Sequence, residues 1–174
     1  WSPFTTSKIA TVKAVINSAA SLNQFFKKNH FKTTIIDAVN EWKDFEDEIK
    51  EKKIELIYLT KDSFFKSFKK DGFIRSRFAY IYIFFKSFFP LIKILQEKKP
   101  DYLIIHLITS LPIFLFTFKK FESKLILRIS GLPKMTFFRK LLWRLAVKNI
   151  YMITCPTFAT YKNLSRFEFL KEKL

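Results

Sequence analysis

Glycine is nearly absent: only Gly72 and Gly131 occur in 174 residues, so loops are expected to be built from polar residues. Cysteine is rarer still. Cys155 alone cannot form an internal disulfide, and no secretory signal opens the chain, so a reducing, cytosolic setting is the expectation. Cys155 follows an apolar run and reads as a small buried residue. Histidine is limited to His30 and His106, and two imidazoles and one thiol at unrelated positions make no metal-ligand set. Acid is also scarce, with 15 Asp plus Glu against 32 Lys plus Arg. No low-complexity linker and no internal repeat is present.

What is abundant is aromatic and basic. A hydrophobic fraction of 49% and an aromatic fraction of 18% exclude a disordered tail, and the length suits one domain, residues 1–174, with a core of its own. A net charge of +17 attracts polyanions, with nucleic acid and an anionic membrane surface as the two obvious partners; compositional drift is the bland alternative. Most aromatics fall on faces expected to be buried, which disfavours a nucleic-acid-binding module and leaves it as an alternative, together with a non-catalytic Rossmann-like interaction domain.

Helical and strand periods alternate along the chain. A helix is expected over 8–27, then strands at 31–37 and 54–59 on either side of a polar connector or short helix. A basic, Phe-studded loop follows at 60–74, and a helix over 75–98. Further strands are expected at 101–107, 124–130 and 150–156, with helices over 109–121, 135–149 and 158–167. This order predicts an α/β fold: a Rossmann-like parallel sheet with helices on both faces, joined by right-handed crossovers. Its first strand is expected upstream of Trp1, because a doubly wound sheet starts with a strand. Residues 102–118 are too interrupted and too short for a membrane span, and 78–95 reads as a buried or interfacial helix rather than a span.

Ligands of open parallel sheets bind where the strands' carboxyl ends emerge. Ser7 and Lys8, before the first helix, either hold a phosphate or sugar or simply cap the helix. His106 ends the third strand beside Thr109 and Ser110, one of which is expected to cap the next helix; His106 either binds a hydroxyl or moves a proton, or is a satisfied core residue. Arg128, Ser130, Gly131 and Lys134 follow the fourth strand. Arg128 either reaches the cleft or forms a structural ion pair, and Gly131 allows close backbone approach. Phe64, Phe65, Lys66, Phe68, Lys69, Lys70, Phe73, Arg75 and Arg77 mix aromatic wedges with cations, which suits either docking on a membrane surface or a solvated loop.

Four segments in order, "KIATVKAVINSAASL", "KPDYLIIHLITSLP", "LRISGLPKMTFFRKLLW" and "ITCPTFATYKNL", resemble the amino-terminal domain of family 4 retaining glycosyltransferases, from residue 2 to residue 164. The nearest likeness is to members that build bacterial envelope polysaccharide or lipopolysaccharide. The resemblance implies half of a GT-B fold, which has two Rossmann-like domains: an acceptor-binding half without cofactor, whose partner half binds a UDP- or GDP-sugar. It implies acceptor or phosphate binding at Ser7, Lys8, Thr109, Arg128, Ser130, Gly131 and Lys134, and a catalytic role for His106. The acceptor is expected to be a glycan or lipid-linked glycan at the cytoplasmic membrane's inner face, where the enzyme sits peripherally. The family's paired glutamates, eight positions apart in the donor domain, have no counterpart here, so this chain alone is expected to be inactive.

Overall fold

The structure, a computed structural model, describes residues 9–25, 32–38, 40, 42–60, 73–106, 109–129, 131 and 133–174. It is an α/β protein with two small parallel sheets and helices on both sides, and it divides into two compact units, Trp1–Pro90 and Leu91–Leu174.

In the first unit, α1 (Ile9–Phe25) precedes β1 (Thr34–Asp37); a 3-10 turn (Lys43–Phe45) leads into α2 (Glu46–Glu51), and β2 (Glu55–Tyr58) lies parallel to β1. Helical spacing places Val12, Val15, Ile16 and Ala19 on one face of α1. That face packs with Ile35, Trp42, Ile49 and Ile54 in one buried cluster. Asn23 ties the helix end to the sheet: its side-chain amide donates to the Lys53 carbonyl at 3.3 Å and its oxygen accepts from the Thr33 N–H at 2.9 Å. With no glycine available, α2 ends on Lys53 in the left-handed region, φ 56°. The Lys53 and Ile54 N–H groups then close onto the carbonyls of Lys50 and Ile49, the bond pair that usually recruits glycine.

Helix α3 (Phe73–Glu97) contributes to both units. Ala79, Ile83, Leu91 and Leu95 are buried, but Phe78, Ile81, Phe85 and Phe89 form an exposed stripe. The expectation of a buried helix therefore holds for one face only. From Phe78 to Glu97 the helix is long and apolar enough to cross a membrane by length and composition, with 28% of its most apolar stretch buried.

The second unit is a repeated strand and helix: β3 (Tyr102–Ile105), α4 (Ser110–Phe118), β4 (Lys124–Arg128), α5 (Phe137–Ala146), a 3-10 turn (Val147–Asn149), β5 (Ile150–Thr154) and α6 (Phe158–Leu164). A 3-10 turn (Glu168–Lys173), not foreseen from the sequence, closes the chain against β5. The strands run parallel in the order β3-β4-β5. Leu103 with Ile105 and Leu125 with Leu127 fill the buried face at the two-residue period of a strand, and Ile150 and Ile153 join it on either side of a register shift in β5.

Three expectations need correction. The one sheet is two ladders, because β1 and β3 have strand partners only in β2 and β4 among the described residues. Thr109 stands at the start of α4 but makes no side-chain cap, since its backbone (φ −88°, ψ −18°) is already helical and a capping side chain needs extended geometry. Finally, many aromatics are exposed, including Phe85, Phe89, Phe118, Phe137, Phe138 and Phe158. Strands of four or five residues offer too little sheet surface to cover 23 phenylalanines.

Two substitutions separate backbone strain from packing. Lys53→Gly is expected to raise stability by up to about 1 kcal/mol, by relieving a left-handed non-glycine residue. Trp42→Ala, at a site with no exposed surface, is expected to lower it by about 3–5 kcal/mol. Urea unfolding monitored by circular dichroism checks both.

Candidate functional site

The carboxyl ends of β3, β4 and β5 form one rim. Ile105 pairs with Leu127 and Arg128 with Thr154, so His106, one residue beyond β3, comes level with Arg128 on β4 and Thr154 on β5. Alternation puts Tyr102, Ile104 and His106 on the same face as Lys124, Ile126 and Arg128. This is the less covered face: the buried positions Leu103, Ile105, Leu125 and Leu127 belong to the other. The parallel ladder therefore brings together the two residues that the sequence singled out on separate strands.

Arg128 is exposed and its guanidinium charge bears on His106. Burial of the imidazole, reinforced by that cation, lowers the His106 pKa to about 3. The ring is therefore neutral at physiological pH, with one nitrogen able to donate and the other to accept. With so low a proton affinity, hydrogen bonding to a hydroxyl suits it better than accepting a proton in a reaction. Next to it the fixed positive charge of Arg128 suits a phosphate or carboxylate. A neutral imidazole beside a guanidinium matches a sugar hydroxyl carried next to a phosphate.

The loop leaving β4 extends the rim. At Gly131 an added Cβ would meet nothing within 4 Å, so the backbone borders open space. Lys134 is exposed, and its carbonyl accepts from the Thr136 N–H at 3.0 Å and from the Arg139 guanidinium at 2.8 Å, which fixes the loop where it enters α5. On β5 the Ile129 N–H donates to the Thr154 carbonyl at 2.9 Å, and Cys155 follows, half-buried rather than fully buried, its thiol pKa raised by burial. Thr157 then caps α6, its hydroxyl accepting from the Thr160 N–H at 3.2 Å. Thr109 enters from the start of α4 with its hydroxyl unused in capping.

Ser7, Lys8 and Ser130 lie outside the described residues, as do Phe64, Phe65, Lys66, Phe68, Lys69 and Lys70. Phe73, Arg75 and Arg77 fall in the first turns of α3, where only the backbone is described. Among the described residues no group of three His, Cys, Asp or Glu converges as a metal site would require.

The sequence reading passed over Asp37. It ends β1 fully buried, and its carboxylate accepts from the Trp42 N–H at 2.8 Å, holding in place the loop that delivers Trp42 to the core. An acidic residue closing an apolar strand run was the available signal. Nearby, Tyr58 donates a short hydrogen bond to Glu46; burial and then the Glu46 carboxylate raise the phenol's pKa.

His106 carries a pH signature. The folded state holds a neutral imidazole where the unfolded chain binds a proton, so the unfolded state takes up more protons between pH 6.5 and about 3. Stability contributed at this site is present above pH 6.5 and declines as pH falls through that window. His106→Gln is expected to shallow the acid decline relative to the unsubstituted protein in urea unfolding across pH; identical profiles would show that the imidazole is not held neutral.

Comparison of the chain with family models, with curated proteins and with solved structures returned no match.

Proposed function

We propose that this chain is the acceptor-binding, amino-terminal half of a retaining glycosyltransferase with a GT-B fold, acting on a glycan or lipid-linked glycan of the bacterial envelope. The observation that carries the reading is the rim: His106 and Arg128 side by side at the carboxyl edge of a parallel sheet, with open backbone at Gly131. In this reading His106 hydrogen-bonds an acceptor hydroxyl. Arg128 and Lys134 hold the acceptor's phosphate, and Ser7, Lys8, Thr109 and Ser130 complete the contact.

The nucleotide sugar, carrying UDP or GDP, binds a separate carboxyl-terminal half, which also supplies the paired glutamates. A strand ahead of α1 would pair along the edge of β1 that does not carry β2, which follows from a right-handed crossover through α1. The protein works in the cytoplasm, peripherally on the inner face of the cytoplasmic membrane, where anionic lipids attract its +17 charge.

The test uses a water-soluble, short-chain polyprenyl pyrophosphate carrying one sugar, titrated calorimetrically into the full chain. Arg128→Ala is expected to weaken binding roughly tenfold or more, the scale of a lost charge-assisted contact. Gly131→Ala is expected to weaken it while leaving the fold intact, because the added Cβ meets nothing within 4 Å. Binding indifferent to both substitutions would overturn the assignment. Tighter binding of a single-stranded oligonucleotide than of this probe would favour the basic nucleic-acid module instead.

A further inference from the structure

Helix α5, Phe137–Ala146, carries more exposed apolar surface than its place in the fold requires. Its inward face is already filled by Trp143 and Ala146. On the outward face Phe137, Leu141 and Leu145 recur every four residues and so lie in one stripe, with Phe138 beside it. Their exposures are 76%, 48%, 48% and 81%. The stripe has no acidic neighbour on the helix, whose sequence is FFRKLLWRLA. Arg139, Lys140 and Arg144 lie on the helix, with Lys134 before it and Lys148 after it, all exposed.

One flank of the helix is committed elsewhere. A groove of about 840 Å³ runs between α5 and the closing 3-10 turn. There the Lys140 ammonium lies 5.4 Å from the Phe167 ring and the Arg144 guanidinium 5.4 Å from the Phe169 ring, while Glu168 and Glu172 add negative charge. Phe138 and Leu145 do not line this groove. They lie on the flank of the helix turned away from the groove.

We propose that α5 is a bilayer-docking helix: Phe138 and Leu145 enter the headgroup and acyl boundary of an anionic membrane, flanked by Phe137 and Leu141 at the mouth of the groove, while the cations of the helix and its ends meet lipid phosphates. An amphipathic helix lying in the interface plane pairs bulky apolar side chains with cations in this way, and α5 itself carries no acid. An acid-bearing helical face would suit a protein partner of mixed charge; this one complements a uniformly anionic surface. The proposal assigns the membrane contact of the functional reading to an element that the sequence had read only as a helix, and it does not depend on the rim.

The experiment is sedimentation of the full chain with vesicles of phosphatidylglycerol and phosphatidylcholine in equal parts, against phosphatidylcholine alone. The chain is expected to bind the mixed vesicles and to release with rising salt. Phe138→Ser with Leu145→Ser is expected to reduce partitioning roughly tenfold or more. Phe118→Ser, at an exposed apolar position on α4, is expected to leave it unchanged, and because the vesicles carry no sugar, failure here is distinguishable from failure of the acceptor site. Phe138→Trp supplies a readout that needs no loss of binding: its added emission is expected to shift to shorter wavelength on anionic vesicles. No shift, undiminished binding by the double variant, or equal binding to uncharged vesicles would each overturn the proposal.

Discussion

The parallel register of β3, β4 and β5 is the constraint on which the functional part of this protein depends. Parallel strands bring their carboxyl ends to a common edge, and a two-residue side-chain period decides which face each end residue shares. Because Ile105 pairs with Leu127, His106 and Arg128 become neighbours although 22 positions separate them in the chain. A slip of one residue would turn one of them toward the buried face, which Leu103, Ile105, Leu125 and Leu127 already occupy. The hydrophobic core of the second unit is thus what fixes the chemistry of its rim.

That chemistry is complementary rather than redundant. The guanidinium remains charged at any physiological pH, whereas the imidazole is kept neutral by burial and by the same guanidinium. In the proposed reading one group attracts an anion and the other hydrogen-bonds a hydroxyl of the same ligand. At the opposite end of the same sheet face the Lys124 ammonium lies 5.6 Å from the Tyr102 ring and 5.0 Å from the Tyr151 ring, where it is held by aromatic surface. A register shift between Leu125 and Ile126 makes Tyr151 the extra residue that allows this grouping.

Much of this was legible in the sequence, for identifiable reasons. All five strands and the longer helices followed from apolar periodicity, while α2 was left open between a polar connector and a short helix; His106 and Arg128 were marked because each is polar at the exit of an apolar run. Element ends were less legible: β4 stops at Arg128, whereas the expected strand ran on to residue 130. The role of Asp37 was hidden because its partner is a backbone N–H, and any residue could supply one. The closing turn Glu168–Lys173 has neither a helical nor a strand period. The direction of the aromatics was misread for a different reason: burial depends on how much sheet surface is available to cover, and composition does not report that. In α5 the helical period was plain, but which side faced inward was decided by Trp143 and Ala146.

The central claim is that the edge shared by β3, β4 and β5 is where this protein meets its ligand. The most direct measurement is a nitrogen-proton correlation spectrum of the labelled chain, recorded while a soluble pyrophosphate-linked sugar is added. The account predicts that the largest shifts cluster at the amides of His106, Ile129, Gly131 and Cys155, with the His106 ring nitrogens remaining in the neutral form throughout. Shifts concentrated in the first unit, or a His106 ring that titrates near its ordinary value, would contradict it.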